Sequence, residues 1–230
     1  MGNKADIIVI GGLIFNNQPL IALNQLGHKV IFVDINSFTM PFNVSTVVES
    51  VETQIVISNN LVVIVGYSAG GLIAMKLAIN QPYLIYKLIL INSTPCFMSK
   101  SDWYGITAQN LSRLTARLTT MSFTQFKKYF SQLSLYPKVH GSTELLKWQS
   151  EHCTFDTTKA WLEIIANSDM RNKVNSILQP ILLLYSCHDH LVPNINYLTS
   201  TKLQQYTMRD SSHAKLEEHQ LIKYIRQFIL

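Results

Sequence analysis

The sequence predicts an α/β protein in which a parallel sheet is covered by helices on both faces and carries one helical insertion. Strand-length runs such as "LVVIVG" (61–66) and "IYKLILINS" (85–93) are apolar throughout rather than alternating, which is typical of strands buried on both faces. Segments with helical periodicity follow several of these runs, as in βαβ units. With 47% apolar and 14% charged residues in 230, the chain is predicted to be one globular domain with a large core.

The remaining core elements follow from the same patterns of apolar runs, glycine stops and helical spacing. In chain order we expect a strand at 6–12, a helix at 18–27, a strand at 28–34, a helix at 69–82, strands at 179–189 and 202–210, and a closing helix at 219–230.

Residues 97–168 interrupt this pattern, because they contain amphipathic helical segments and no buried strand. Apolar side chains recur there at helical spacing, followed by a cluster of aromatic ones: Leu111, Leu114, Leu118, Met121, Phe123, Phe126, Tyr129 and Phe130. We therefore expect a helical lid at 97–168, inserted into a core formed by 1–96 and 169–230.

Composition excludes some classes of protein. No apolar run reaches the roughly 18 residues of a membrane span, and the N-terminal apolar run resembles a buried strand more than a signal peptide. The three cysteines, Cys96, Cys153 and Cys187, are an odd and scattered set. We expect free thiols in a reducing cytoplasm, no membrane attachment and a monomer.

The pattern Gly-x-Ser-x-Gly occurs at 66–70, between a predicted strand and a predicted helix. A sharp strand-to-helix turn with small residues on both sides of Ser68 would present its hydroxyl at a helix N-terminus, as a nucleophile. The alternative is a glycine-rich turn in which the serine is passive.

A serine nucleophile needs a base, and the base needs a carboxylate that orients it. In this architecture the chain order is serine, acid, histidine, which selects Asp189 after the fifth strand and His213 before the last helix. His219 is the alternative base. The run "CHDH" (187–190) would suggest a metal site instead, but adjacent residues cannot all face one ion. We therefore expect no metal and no cofactor.

The oxyanion that forms when a serine attacks a carbonyl group requires two N–H donors. We expect these from Ala69, directly after the nucleophile, and from Leu13 in the loop "GGLIF" (11–15). The βαβ unit that ends in Asp34 also resembles a dinucleotide-binding unit, but it lacks the third glycine of G-x-G-x-x-G.

These residues carry a resemblance to α/β-hydrolases, and more narrowly to the pimeloyl-[acyl-carrier protein] methyl ester esterases. The resemblance covers about residues 6–34, 61–107 and 169–215, including "STPCF" (93–97), "DWYGI" (102–106), "DMR" (169–171), "DHLVP" (189–193) and "SSHA" (211–214). It implies a serine carboxylesterase in biotin synthesis. We also expect substrate-binding roles for Gly12, Tyr67, Phe130 and Trp103.

The chain departs from that family in several places. Gly11-Gly12 stand where His-Gly is usual, and Leu13 stands where a bulky aromatic is common. One or two N-terminal strands of the fold are expected to be absent. The turn "D-x-P-G-x-G-x-S" is replaced by "DINSFTMPF" (34–42).

The charge of the insertion indicates its partner. The net charge is +5, and no acidic residue lies between Asp102 and Glu144, whereas the same span holds Arg113, Arg117, Lys127, Lys128 and Lys138. A surface of one sign steers an acidic partner, and the resemblance implies an acyl-carrier protein bearing an acyl methyl ester. The alternative for the charged surface is that these residues are simply solvated. The alternatives for the function are a general short-acyl carboxylesterase and a non-catalytic binding protein. Nucleic acid is not expected as a partner.

Overall fold

The computed structural model describes residues 5–58, 60–135, 147–192, 197–198 and 202–230. Its centre is a six-stranded sheet with the strand order β2-β1-β3-β4-β5-β6, in which every neighbouring pair is parallel. The strands are β1 (Asp6–Ile10), β2 (Val30–Val33), β3 (Val62–Tyr67), β4 (Ile85–Ile91), β5 (Ile181–His188) and β6 (Leu203–Ser212).

The helices are α1 (Val44–Ser58), α2 (Gly70–Asn80), α3 (Ala108–Thr120), α4 (Phe123–Ser134), α5 (Phe155–Asn167) and α6 (Glu218–Ile229). Short 3-10 helices lie at Gln18–Leu26, Ile35–Ser37 and Val174–Ser176.

Both faces of the sheet are buried, because alternate residues of the central strands enter two different hydrophobic clusters. Ile8 and Ile64 pack with α1, α2 and the inserted helices, whereas Val9 and Val63 pack with α6 and the 3-10 helix at Gln18–Leu26. The predicted parallel sheet with helices on both sides is therefore confirmed.

The insertion, residues 97–168, contributes α3, α4 and α5 between β4 and β5. Each of these helices begins with a side-chain cap that accepts a hydrogen bond from a free backbone N–H: Thr107, Ser122 and Thr154. The two ends of the insertion lie side by side, since Cys96 and Asp169 form an antiparallel bridge and Met170 N–H donates to Pro95 O at 2.9 Å.

Two elements differ from the sequence prediction. Helix α1 was not assigned, because "VSTVVESVETQIVIS" is rich in β-branched residues that favour strands; it is helical because Val47, Val51 and Ile55 pack on the sheet. The predicted helix at 18–27 is a 3-10 helix that stops at Gly27, whose φ is 73°.

The three cysteines form no disulfide, and Cys96 and Cys153 are buried. Burial raises the pKa of both of these thiols. None of the helices in the part of the chain that the structure describes combines the length and hydrophobicity needed to cross a membrane.

Candidate active site

The candidate site is built on the sharp turn between β3 and α2, where Ser68 has a φ of 52°. Two hydrogen bonds hold this turn on β4: Ser68 N–H donates to Ile91 O at 3.0 Å, and Ser93 Oγ donates to Ser68 O at 2.8 Å. A non-glycine residue in the left-handed region is strained, and such strain is common at functional sites.

Gly70 allows α2 to start directly against β1. A Cβ atom at this position would overlap the backbone carbonyl groups of Ile10 and Gly11, which cannot move away as a flexible side chain can. The glycine is therefore required by the close approach of helix and strand.

Replacing Gly70 by alanine is expected to lower the free energy of unfolding by about 3 kcal/mol, because strand and helix must separate. Urea denaturation measures this change. Ser112→Ala on the exposed face of α3 is the control, and its effect should stay within about 0.5 kcal/mol. An unchanged denaturation midpoint for Gly70→Ala would contradict the close packing.

The structure brings Ser68, His213 and Asp189 into one chain of hydrogen bonds. Ser68 Oγ lies 2.9 Å from His213 Nε2, and His213 Nδ1 lies 2.7 Å from Asp189 Oδ2. The side chains of His213 and Asp189 are only 4% and 1% exposed. Both contacts are satisfied when Nδ1–H donates to the carboxylate, which leaves Nε2 free to accept the proton of the serine.

The second carboxylate oxygen of Asp189 is held by the backbone after β5. Its Oδ1 accepts hydrogen bonds from the N–H groups of Leu191, at 2.8 Å, and Val192, at 3.0 Å. The acid is thereby aimed at His213 by its own loop. The alternative base, His219, lies within α6.

The neighbours of Asp189 point elsewhere. Cys187, His188 and His190 are exposed, and no group of three or more metal-ligating side chains occurs among residues 5–58, 60–135, 147–192, 197–198 and 202–230.

Two buried polar side chains hold the backbone of His213. Its carbonyl oxygen accepts from Tyr67 Oη at 2.7 Å and from Asn92 Nδ2 at 3.1 Å. Asn92 Oδ1 in turn accepts from Ser186 N–H at 2.8 Å. Burial, with the Asp189 charge nearby, raises the pKa of Tyr67 well above its usual value, so this hydroxyl remains a donor.

Sequence reasoning did not identify Asn92. The available signal was an asparagine directly after the apolar run of β4, where its φ of 46° suits this residue type. Tyr67 was expected to bind substrate. Tyr67 is instead buried next to His213, and its hydroxyl donates a hydrogen bond to the His213 carbonyl oxygen.

A small cavity of about 40 Å³ opens beside the serine hydroxyl, between the sheet and the insertion. Apart from Ser68 and His213 its lining is apolar: Leu13, Phe97, Ile106, Leu111, Leu114, Phe130, Leu162, Ile165 and Leu191.

The other residues expected at the substrate site differ in position. Phe130 lines the cavity, and Gly12 passes so close to Ser68 that an added Cβ would lie 3.2 Å from the serine Cβ. Trp103 is not part of the lining. Its Nε1 donates to Cys96 O at 2.8 Å, and its ring lies 5.6 Å from the guanidinium of Arg171. Trp103 therefore packs at the base of the insertion.

The two residues expected to supply oxyanion donors, Leu13 and Ala69, lie close to Ser68. Ala69 is fully buried at the start of α2, and Leu13 lines the cavity. Neither N–H takes part in a backbone hydrogen bond found within the described residues. Their role as donors to an oxyanion stays a prediction.

The basic residues of the insertion form an exposed surface on α3 and α4. Arg113, Arg117 and Lys128 are exposed and Lys127 is half-buried. The guanidinium of Arg117 stacks 4.2 Å from the ring of Tyr129, a contact that joins the two helices. Lys138, the remaining member of the predicted cluster, lies outside the described residues.

Several curated proteins similar in sequence share one name. The chain is 28% identical over 237 aligned positions to the pimeloyl-[acyl-carrier protein] methyl ester esterase of Wigglesworthia glossinidia brevipalpis, covering 96% of this chain and 90% of that protein. It is 31% identical over 166 positions to the protein of the same name from Vibrio campbellii, covering 67% and 65%. The resemblance inferred from the motifs is confirmed.

Solved structures agree on the fold. A bromoperoxidase from Bacillus anthracis matches with a TM-score of 0.85 and 14% identity, covering 99% of this chain and 92% of that one. An esterase from Exiguobacterium antarcticum matches with a TM-score of 0.83 and 18% identity, covering 100% and 93%. The family model described as alpha/beta hydrolase fold matches residues 18–220. Since that match spans most of the sequence, the chain belongs to the alpha/beta hydrolase family.

Proposed function

We propose that this protein is a serine carboxylesterase that hydrolyses the methyl ester of pimeloyl-acyl-carrier protein to pimeloyl-acyl-carrier protein and methanol. The observation that carries this proposal is the continuous hydrogen-bonded chain from Asp189 through His213 to Ser68. Its serine end lies at an apolar cavity. The substrate is proposed from the names of the curated relatives, one of which aligns over nearly the whole chain.

In the first half of the reaction, Ser68 Oγ attacks the carbonyl carbon of the methyl ester while His213 Nε2 takes the hydroxyl proton. Asp189 stabilises the imidazolium that forms. The carbonyl oxygen becomes negatively charged and accepts hydrogen bonds from the N–H groups of Leu13 and Ala69. His213 then returns the proton to the methoxy oxygen, methanol leaves, and an acyl-serine remains.

In the second half, water replaces methanol. His213 Nε2 removes a proton from the water, whose oxygen attacks the acyl-serine carbonyl through a second oxyanion. The intermediate collapses to the free carboxylic acid, and the proton on His213 returns to Ser68 Oγ. No cofactor enters either half, since both are acyl transfers between oxygen atoms.

The cavity favours a neutral, apolar group next to the serine. Among the described residues, no lysine or arginine lines the cavity, so an esterified acyl end is accommodated better than the charged acid that hydrolysis produces. At about 40 Å³ the cavity is much smaller than the usual ligand-binding pocket of about 300 Å³ or more, and a pimeloyl chain needs more room. We propose that the insertion acts as a lid, and that α3 and α4 move outward when the acyl chain binds.

The basic surface of α3 and α4 is the proposed carrier-binding surface, formed by Arg113, Arg117, Lys127 and Lys128. An acyl-carrier protein is acidic and would be attracted to exposed cations near the entrance of the cavity. Arg117 is already ordered by its stacking on Tyr129, which lowers the entropy cost of placing its charge.

Reversing both arginines, as Arg113→Glu with Arg117→Glu, is expected to lower kcat/KM for the carrier-bound methyl ester by about 10-fold or more at low salt. Hydrolysis of p-nitrophenyl acetate should stay within about 2-fold, because this small ester needs no protein partner. Methanol release and p-nitrophenol release measure the two activities.

The control is the pair Arg209→Glu with Lys223→Glu, which changes the net charge equally at exposed positions on β6 and α6. This pair should leave both activities near their wild-type values. Equal losses for the two pairs would argue against a specific carrier surface. An active enzyme that releases no methanol from the carrier-bound ester would replace the proposed substrate with a general short-acyl ester.

A further inference from the structure

The loop from Gly11 to Phe15, which carries the Leu13 N–H, has an unusual backbone. Ile14 is fully buried and has a φ of 71°. A β-branched residue is a marked outlier in this region, so the conformation has to be imposed by surrounding contacts. Its direct consequence is the position of Leu13, the neighbouring residue that lines the cavity beside Ser68.

Asn36 makes the contacts that impose this backbone. Its Oδ1 accepts from Ile14 N–H at 2.9 Å, and its Nδ2 donates to Phe15 O at 3.1 Å and to Gly12 O at 3.3 Å. The side chain is 1% exposed, so each of these bonds forms away from water. The NH₂ group has two hydrogens and also donates to Asp34 Oδ1 at 2.7 Å, so the longer contact with Gly12 O shares a hydrogen with another acceptor. The amide thus contacts the loop on both sides of Leu13.

Asp34 orients the amide of Asn36. Its Oδ1 accepts from Asn36 Nδ2 at 2.7 Å and from Asn36 N–H at 2.9 Å. Because only the amide nitrogen can donate to a carboxylate, this contact determines which end of the Asn36 side chain faces Ile14 N–H. Asp34 Oδ2 accepts from Ser150 Oγ at 2.5 Å, which ties the pair to the insertion.

The insertion holds the same loop from another side. Asn16 N–H donates to Trp148 O at 2.7 Å, and Ser150 N–H donates to Ile14 O at 2.8 Å. Backbone hydrogen bonds thus secure the outer part of the loop. The part next to Ser68 relies on Asn36.

We propose that Asn36 is a positioning residue for the oxyanion hole, and that Asp34 supports it by setting the orientation of its amide. Asn36 is absent from the lining of the cavity and acts on the reaction only through the backbone of residues 12–15. The inference rests on the proposed ester hydrolysis, but it does not depend on the identity of the natural ester. It gives a role to "DINSFTMPF", the segment in which the chain departs from the family it resembles.

The test compares Asn36→Leu, which keeps the approximate shape but none of the hydrogen bonds, with the milder Asp34→Ala, which removes the acceptor that orients the Asn36 amide. Ile225→Ala is the control for lost stability, because Ile225 is fully buried in the cluster on the opposite face of the sheet. Each variant is assayed with p-nitrophenyl acetate, at a temperature at which circular dichroism shows it folded. Inhibition by a trifluoromethyl ketone, which forms a negatively charged tetrahedral adduct with the serine, is measured in parallel.

For Asn36→Leu we expect kcat to fall about 100-fold and the inhibition constant of the ketone to rise by a similar factor, as for the loss of one oxyanion donor. KM should change by less than about 3-fold, since the ground-state ester does not need this donor. Asp34→Ala should lower kcat by about 3-fold to 10-fold, because the Asn36 amide loses the acceptor that fixes its orientation. Ile225→Ala should melt at a lower temperature and keep its kcat.

Folded Asn36→Leu with wild-type kcat and wild-type ketone inhibition would overturn the inference. If Asn36→Leu does not fold, an unchanged kcat and ketone inhibition for Asp34→Ala would overturn it as well. Failure of the proposed substrate gives a different result: wild-type protein would hydrolyse p-nitrophenyl acetate but release no methanol from the carrier-bound ester. Wild-type protein inactive on every ester would refute both.

Discussion

Replacing Ser68 by alanine is expected to lower kcat for ester hydrolysis by about 10⁵-fold or more, with little change in KM. The hydroxyl is the only group of residue 68 that can form the acyl-enzyme, and its removal leaves His213 without a proton to accept at 2.9 Å. The substitution removes one atom from a side chain that is 8% exposed, so the fold should be retained. Methanol release from the carrier-bound ester measures the loss.

A fluorophosphonate probe provides an independent measurement at the same atom. Wild-type protein should be labelled at Ser68, and Ser68→Ala should not be labelled. Ser112→Ala, an exposed serine of α3, is the control and should behave as wild type in both assays. Turnover that survives in Ser68→Ala would refute the acyl-serine mechanism, and an unlabelled wild type would favour a binding protein on the hydrolase fold.

Replacing Asp189 by asparagine is expected to lower kcat by about 10⁴-fold at neutral pH. The N–H groups of Leu191 and Val192 donate to Oδ1, so the amide oxygen of an asparagine would occupy that position. The NH₂ group would then face His213 Nδ1 and require it to be an acceptor. The imidazole proton would move to Nε2, which could no longer accept the proton of Ser68.

The control for Asp189→Asn is a second aspartate, which lies outside the hydrogen-bonded chain of His213. Asp156→Asn, an exposed carboxylate in the first turn of α5, removes an equal charge and should leave kcat unchanged. Asp189→Asn should also keep its thermal stability close to wild type, because its backbone hydrogen bonds are preserved. A loss of kcat smaller than about 10-fold would show that the histidine tautomer is not set by Asp189.

The sequence alone determined the parallel sheet, and it predicted the helical insertion at 97–168 and the candidate set of Ser68, Asp189 and His213. These features depend on local signals: continuous apolar runs for strands buried on both faces, glycines around a serine, and polar residues directly after strands. The sequence does not predict helix α1, because its β-branched residues favour strands locally, whereas packing on the sheet favours the helix.

Only the tertiary structure decided the contacts that join distant parts of the chain. Asn92 and Tyr67 meet the carbonyl of His213 more than a hundred residues away, and Asn36 reaches the loop at 12–15. No local pattern distinguishes these side chains from other polar residues near strand ends. Their roles follow from burial, since a buried amide or hydroxyl must find partners, and the fold alone determines which backbone groups lie within reach.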